Sequence, residues 1–293
     1  MKTKNIDSVK IVSHIIFILF CICCIIPLLM LISSSVTPND VIKESGLSLI
    51  PKKVTLDAYR MIFAKPQNLL RAYGVTIFIT VVGTVINLLV CTMTAYSLMR
   101  KSFEYRRVVS FVIYFTMLFS GGLVPLYILI TKYLHMQNNI LVMIIPQMAS
   151  PMLIFLMRTY LSDIPSALFE AATIDGATEY GIFFKIVLPL SVPALSAGGF
   201  ITVLAYWNEW YYCMLFITDE KLYPLQMLLQ NILNYVSLLK SGNSMLTASI
   251  ANNVPSNAVT SATCFLVIAP MLTAFVFFQK YFVQGITAGA VKG

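Results

Sequence analysis

The sequence has few charged residues, which make up 11% of its 293 positions, whereas hydrophobic residues make up 58%. A soluble protein typically carries about 25% charged residues, so this composition excludes an ordinary cytosolic globular protein and indicates a membrane protein. The 20 Lys and Arg residues outnumber the 12 Asp and Glu residues, which gives a net charge of +8. Because the basic residues are scattered, we expect them to face anionic membrane lipids, and we predict no nucleic-acid binding.

The motifs of common catalytic and metal sites are also missing. The sequence contains no G-x-x-x-x-G-K-[ST] loop for nucleotide phosphates, no H-E-x-x-H and no G-x-S-x-G. Its C-x-C-C run lacks zinc-finger spacing, and its two histidines, His14 and His135, are far apart in the chain. We therefore predict a protein that is not an enzyme and has no cofactor or metal, in which the cysteines of apolar segments serve for packing.

Long uncharged stretches are the main feature that the sequence does have. A charged side chain at the centre of a membrane helix costs roughly 2.5–3.5 kcal/mol, so an uncharged gap of about 20 residues or more marks a candidate span. Six gaps are long enough, and they cover residues 11–39, 72–99, 108–131, 133–157, 186–208 and 241–279. The last gap begins with a polar stretch, so we place its helix at 258–279. These gaps predict an all-α polytopic membrane protein with six transmembrane helices.

Two apolar segments each fit two interpretations. Residues 222–239 are uncharged but contain several Gln and Asn residues, which favours an amphipathic helix at the membrane interface over a seventh span. The first apolar run resembles a secretory signal because three lysines precede it, but it is longer than a signal core and lacks an A-x-A site. We expect it to be retained as a helix. The lysines before it and four basic residues after the second span place both termini in the cytoplasm.

The charges concentrate between the fourth and fifth predicted spans, in residues 158–185. Inserting the six charges of this stretch would cost roughly 15–20 kcal/mol, so we expect it to lie in water. N-cap residue types before Pro165 and a stop at Asp175-Gly176 predict one helix, and residues 177–184 predict a second. Such a hairpin is suited to docking on another protein, and it equally fits a solvated helical loop.

A second candidate site lies at the end of the fifth predicted span and consists of Trp207, Asn208, Glu209 and Trp210. A carboxylate at the membrane among polar and aromatic residues typically marks a translocation path, and aromatic faces can stack on sugar rings. The same residues fit an aromatic belt at the outer interface, which needs no ligand. Asn87 and Gln147 also lie within spans, where such residues more often form hydrogen bonds between helices.

The charged stretch resembles the "EAA" loop of binding-protein-dependent ABC importer permeases. The residues that match its pattern are Glu170, Ala171, Ala172, Asp175, Gly176, Ala177, Phe183, Ile186, Pro189 and Pro193. The W-N-E-W block at 207–210 and the C-terminal residues 285–293 are similar to sugar-importer permeases of the MalG type. Residues 120–128, 208–215 and 223–229 resemble the LplC/YtcP-type branch of carbohydrate permeases. The resemblance therefore covers the whole chain.

The resemblance implies a type I ABC importer permease fold with a cytoplasmic coupling-helix hairpin. It implies a heterodimer with a second permease subunit, two ATP-binding subunits that hydrolyse ATP, an extracellular solute-binding protein, and a sugar or oligosaccharide as substrate. The ATPase-coupling residues would be Glu170, Ala171, Ala172, Asp175, Gly176 and Ala177. The alanines would permit close approach to the ATPase, Gly176 would turn the chain with positive φ, and Asp175 would cap the second helix.

The same resemblance divides the chain into three parts. Residues 1–71 would hold the N-terminal cytoplasmic segment, the first transmembrane helix and an outer loop. Residues 72–280 would form the permease domain, and residues 281–293 a cytoplasmic tail inserted between the ATPase subunits. The alternatives are an ABC permease for a non-sugar solute and a secondary transporter that needs no ATPase, although the predicted spans lack the charged relay typical of the latter.

Overall fold

The computed structural model of this chain describes residues 3–64, 66–240 and 257–290. These residues form helices joined by turns, and no β-strand occurs among them, as the sequence predicts. The α-helices are, in chain order, α1 (Thr3–Ser35), α2 (Asn39–Ser45), α3 (Asp57–Phe63), α4 (Pro66–Met99), α5 (Arg106–Leu118), α6 (Leu123–Ile128), α7 (Pro151–Ser162), α8 (Ser166–Ile174), α9 (Glu179–Ile182), α10 (Leu188–Leu190), α11 (Val192–Trp207), α12 (Tyr211–Phe216), α13 (Leu225–Lys240) and α14 (Asn257–Ala290).

The described helices include up to six membrane spans by length and composition. Three cross in one piece, namely Val9–Ser35, Pro66–Met99 and Asn257–Val276. The other three are bent pairs, namely Arg106–Leu118 with Leu123–Tyr133, Ile140–Gln147 with Pro151–Ser162, and Glu179–Leu190 with Val192–Phe216. The predicted number of spans is confirmed, but three of the six are broken rather than continuous.

Glycine and proline account for the breaks. The third span bends by 113° next to Gly122, whose φ of +86° favours glycine. The fourth bends by 47° where Pro151 starts α7, after Ser150, whose side chain accepts a hydrogen bond from the Leu153 N–H. The fifth bends by 80° between α10 and α11, and Pro193 lies in the first turn of α11. Proline lacks an N–H and so suits the start of a helix rather than its interior.

The last two helices follow the prediction in part. Helix α13 covers most of residues 222–239, for which an interfacial helix was predicted, and the described residues contain no span there. Helix α14 begins at Asn257, one residue before the predicted start, but continues to Ala290. Most of the predicted tail is therefore helical in its backbone. Residues 291–293 and the polar residues 241–256 lie outside the described part of the chain.

The chain divides into two compact units, of which the first comprises Met1–Leu69 and Leu229–Pro270. In this unit the Ser261 hydroxyl donates a hydrogen bond to Ser34 Oγ at 3.0 Å and so joins α14 to α1. Ile42 and Ala58, from the short helices α2 and α3, pack in one apolar cluster with the fully buried Ala262. The segment that follows α1 is thus folded onto the start of α14.

The second unit, Leu70–Leu228 with Met271–Gly293, has two apolar clusters that share α4. The first contains Cys91, Tyr96 and Leu98 of α4, together with buried residues of α7, α8 and the segment after α9. The second contains Val75 and Ile79 of α4, together with buried residues of the fourth span and α12. Helix α4 therefore packs in both apolar clusters of this unit.

Helix α1 is exposed along its apolar length, since none of its most apolar window is buried within the chain. Its three thiols, Cys21, Cys23 and Cys24, are exposed accordingly. The prediction that the cysteines of apolar segments serve for packing is therefore wrong for these three thiols within the described part of the chain. Cys91 and Cys213, by contrast, are buried.

Candidate functional site

The charged stretch forms two short helices, α8 and α9, joined by a glycine turn. Helix α7 continues through Ser162, so α8 begins only after Pro165, later than the predicted polar caps. It ends where the Asp175 N–H bonds to the Ala171 carbonyl at 2.9 Å. Gly176 follows with φ of +79°, which confirms the predicted turn and its positive φ.

The second helix is capped by Thr178, whose Oγ1 accepts a hydrogen bond from the Gly181 N–H at 3.2 Å. The prediction that Asp175 caps this helix is wrong, because Thr178 occupies the cap position. After α9 the chain continues through a π-helical turn, Phe183–Val187, directly into α10. The second helix therefore runs beyond the predicted 184 and joins the fifth span without an intervening loop.

The hairpin of α8 and α9 presents apolar side chains to solvent. Phe169 points inward and is 3% exposed, but Leu168 is 45%, Ile174 is 85% and Tyr180 is 70% exposed. Large exposed apolar groups on a charged segment are typical of a surface that contacts another protein or a membrane. The predicted coupling residues share this surface: Ala172 is half-buried, and the exposed ones are Glu170, Ala171, Asp175, Gly176 and Ala177.

One residue of the hairpin that the motif did not single out makes a link to α4. Glu179 Oε2 accepts a hydrogen bond from the Tyr96 hydroxyl at 2.5 Å, and its Oε1 accepts one from Arg100 Nη2 at 2.5 Å. Because the sequence predicts that this end of α4 faces the cytoplasm, we call Tyr96, Arg100 and Glu179 the cytoplasmic cluster. Glu179 is 83 residues from Tyr96 and 79 residues from Arg100 in the sequence, so no local spacing predicts these contacts.

The second candidate site is divided between buried and exposed positions. Trp207 and Glu209 are buried, at 8% and 5% exposed, whereas Asn208 is exposed and Trp210 is half-buried. Glu209 Oε2 accepts a hydrogen bond from Gln147 Nε2 at 2.5 Å. These four residues therefore do not form one continuous surface of the chain.

Glu209 is held by neighbours within its own chain on both carboxylate oxygens. Besides the bond from Gln147, its Oε1 accepts a hydrogen bond from the Tyr212 N–H at 2.7 Å, in the first turn of α12. An anion is favourable at this end of a helix because the first N–H groups point toward it. Glu209 thus fastens the end of the fifth span to the break in the fourth.

Asn87 extends this network to α4. Its Nδ2 donates a hydrogen bond to the Gln147 carbonyl at 2.7 Å, and its Oδ1 accepts one from Thr202 Oγ1 at 3.3 Å. We call Asn87, Gln147 and Glu209 the membrane cluster. The expected use of Asn87 and Gln147 in bonds between helices is confirmed.

The described residues contain no group of three or more His, Cys, Asp or Glu residues that could hold a metal ion. All six cysteines are free thiols. Cys91 Sγ accepts a hydrogen bond from the Ser150 N–H at 3.3 Å and so serves the contact between α4 and the start of α7.

Comparison with known proteins identifies the family. Residues 87–288 match the family described as "Binding-protein-dependent transport system inner membrane component". The chain is 32% identical to the polygalacturonan/rhamnogalacturonan transport system permease protein YtcP of Bacillus subtilis, over 94% of this chain and 95% of that protein. It is also 32% identical to the arabinooligosaccharides transport system permease protein AraQ of Halalkalibacterium halodurans, over 100% of both chains.

A solved structure shows the same fold. It is described as the crystal structure of a bacterial ABC transporter involved in the import of the acidic polysaccharide alginate. The match has a TM-score of 0.83 with 27% sequence identity, and it covers 96% of this chain and 99% of that chain. The chain is therefore an all-helical membrane protein and a transport subunit, and it belongs to the ABC importer permeases described as binding-protein-dependent transport system inner membrane components.

Proposed function

We propose that this chain is the permease subunit of an importer that moves a sugar or oligosaccharide across the cytoplasmic membrane. The observation that carries the substrate class is similarity over nearly the whole chain to permeases named for polygalacturonan/rhamnogalacturonan and arabinooligosaccharide transport. The alginate importer, a match in fold, points to the same class. An importer for a non-sugar solute is the alternative.

The proposed assembly contains a second permease subunit, two ATP-binding subunits and an extracellular solute-binding protein. Two surfaces of this chain support it. The apolar length of α1 is exposed, as expected of a helix that faces lipid or the second permease. The hairpin of α8 and α9 exposes Ile174 and Tyr180, as expected of a surface that docks on an ATPase. Both chain termini then lie in the cytoplasm with the hairpin.

The ATPase acts on the permease through the hairpin in this proposal. Glu170, Ala171 and Ala172 of α8 contact the ATPase, and Gly176 keeps the turn tight. Because α9 passes into α10 through the π-helical turn without a loop, movement of the hairpin is carried into the fifth span. The 80° bend between α10 and α11 is where that movement can open or close the path, as alternating access requires.

The proposed translocation path passes the end of the fifth span. The exposed Asn208 offers an amide to sugar hydroxyls, and the half-buried Trp210 offers a ring face for stacking. Trp207 and Glu209 are buried behind them and act as support, since Glu209 already binds Gln147 and the Tyr212 N–H.

The test is reconstitution of the complete transporter. The chain would be purified with its companion permease and ATPase, placed in liposomes, and supplied with the solute-binding protein and galacturonide, arabino- or alginate oligosaccharides. We expect at least one oligosaccharide to stimulate ATP hydrolysis and to accumulate inside. Uptake by this chain without an ATPase would instead show a secondary transporter, and stimulation by non-sugar solutes alone would contradict the substrate class.

A further inference from the structure

Three parts of the hairpin region meet at one turn of α4. The Tyr96 ring, 6% exposed, lies 6.3 Å from the Phe169 ring of α8 and 5.8 Å from the Phe183 ring of the π-helical turn, measured between ring centres. From α9, Glu179 accepts the hydrogen bond of the Tyr96 hydroxyl. Each segment of the hairpin thus touches the same side chain of the second span.

Arg100, the residue that directly follows α4, completes the arrangement. Its guanidinium bonds to Glu179 Oε1, and its Cζ lies 5.8 Å from the Tyr96 ring centre and 5.7 Å from that of Phe169. A guanidinium over two rings is held by cation–π attraction as well as by its hydrogen bond. The Thr178 hydroxyl caps α9 by accepting a hydrogen bond from the Gly181 N–H. This bond holds the backbone of Glu179, the first residue of α9, in place.

We propose that Glu179 is a positioning residue that fastens the coupling hairpin to the cytoplasmic end of α4, so that movement imposed by the ATPase reaches the second span directly as well as the fifth. This inference rests on the proposed function of the hairpin as the ATPase-coupling element. The covalent chain joins the hairpin to α7 and α10 only. The link to α4 is made by the cytoplasmic cluster and the surrounding rings.

Helix α4 is suited to carry that movement inward. Asn87 lies nine residues before Tyr96 on the same helix, which is about 14 Å along the helix axis. It bonds to the Gln147 carbonyl, and the Gln147 side chain bonds to Glu209. A displacement of α4 at the hairpin therefore acts on the break in the fourth span and on the end of the fifth, next to the proposed path.

The experiment compares uptake per ATP hydrolysed in the complete transporter. The variants are Glu179→Ala, Arg100→Gln and Tyr96→Phe. The last of these keeps the ring and loses only the hydroxyl. Glu104→Ala, an exposed carboxylate in the loop after α4, is the matched control. We expect normal assembly with the ATPase and about threefold to tenfold less uptake per ATP for Glu179→Ala, because this change removes both the ion pair with Arg100 and the hydrogen bond from Tyr96. Glu104→Ala is expected to keep the uptake per ATP of the unaltered protein.

A conservative variant and a charge exchange separate positioning from folding. Glu179→Gln keeps one acceptor oxygen and is expected to retain part of the coupling. Arg100→Glu combined with Glu179→Arg restores a pair of opposite charge, and we expect uptake per ATP to recover relative to either single change. A simple loss of folded protein lowers the amount of transporter without changing this ratio.

The inference is overturned if Glu179→Ala and Tyr96→Phe both retain the uptake per ATP of the unaltered protein. It is also overturned if their uptake falls only in proportion to the amount assembled. Failure of the proposed function looks different, because the unaltered chain itself would then fail to bind the ATPase or to show ATP-dependent uptake.

Discussion

Two glutamates on either side of the fifth span's bend have opposite surroundings. The Glu179 side chain is 58% exposed and binds a cation, Arg100, together with the hydroxyl of Tyr96. Glu209 is 5% exposed, and its donors, which include the Gln147 amide and the Tyr212 N–H, are uncharged. Each glutamate belongs to a cluster that includes a residue of α4. This residue is Tyr96 in the cytoplasmic cluster and Asn87 in the membrane cluster.

The difference indicates two kinds of contact on one helix. Water reaches the Glu179 carboxylate, although Arg100 is only 22% exposed, so their ion pair adds little to stability and can rearrange at low cost. A buried carboxylate and its donors have no water to replace a lost partner, so breaking that contact is expensive. The membrane cluster is thus suited to hold broken spans together, and the cytoplasmic cluster to follow a moving partner.

The largest expected effect is that of Glu209→Ala. Removing the buried carboxylate leaves the half-buried Gln147 amide and Tyr212 N–H without this acceptor, and we expect the free energy of unfolding to fall by about 3 kcal/mol. Unfolding of the purified chain in detergent, followed by circular dichroism, measures the change.

Two controls make the Glu209 test specific. Glu220→Ala removes an exposed carboxylate and is expected to leave stability unchanged. Glu209→Gln keeps an acceptor for the Tyr212 N–H and is expected to lose less than Glu209→Ala. Equal stability of the Glu209→Ala and Glu220→Ala variants would show that the membrane cluster does not hold the spans.

Close packing beside the membrane cluster gives the next largest effect. A Cβ added at Gly83 of α4 would lie 2.5 Å from Tyr206 Cζ, and the Tyr206 hydroxyl bonds to the Ile144 carbonyl in the fourth span. We expect Gly83→Ala to lower the free energy of unfolding by about 2 kcal/mol through overpacking.

Gly74 offers a matched control for Gly83 on the same helix, because a Cβ there meets nothing within 4 Å. Gly74→Ala is expected to be neutral or to stabilise α4 by up to about 1 kcal/mol. The same denaturation measurement applies to both variants. Similar changes in the two would mean that Tyr206 moves aside freely and that this region is loosely packed.

The glycine turn of the hairpin is expected to affect uptake more than stability. Gly176 and Gly46 have φ of +79° and +72°, and a Cβ at either meets nothing within 4 Å. Gly176→Val and Gly46→Val should therefore each lower stability by about 1–3 kcal/mol through backbone strain. We expect only Gly176→Val to abolish coupled uptake while membrane insertion persists. Unchanged uptake by Gly176→Val in the reconstituted transporter would contradict the coupling role.

Much of the fold could be predicted from the sequence because the membrane imposes a simple rule. Charges are excluded from the bilayer, so the gaps between them indicate all six candidate spans. The turn of the hairpin could be predicted because Asp175-Gly176 is a local signal, and glycine adopts the required φ. The bends inside three spans could not be located, since an uncharged gap has the same length whether its backbone is straight or broken.

The side-chain contacts of the two clusters could not be predicted from the sequence. Glu179 and Tyr96 are 83 residues apart, and Glu209 and Gln147 are 62 apart, so packing of the spans alone brings them together. From the sequence, Glu209 fits both a translocation path, which an intramembrane carboxylate often marks, and an aromatic belt that needs no ligand. Its hydrogen bond with Gln147 depends on where the fourth span bends, whereas its bond with the Tyr212 N–H is a local contact three residues away.

The smallest expected effect is the contribution of the Arg100–Glu179 pair to stability, and it tests the comparison most directly. A double-mutant cycle with Arg100→Ala and Glu179→Ala should give a coupling energy of about 0.5 kcal/mol, since water screens a carboxylate that is 58% exposed. Raising the salt concentration should reduce it further. The cycle with Gln147→Ala and Glu209→Ala should give more than about 1 kcal/mol with little salt dependence, because that pair is shielded from solvent. Equal, salt-insensitive coupling in both cycles would mean that exposure does not separate the two clusters. The cytoplasmic cluster would then be a rigid support like the membrane cluster.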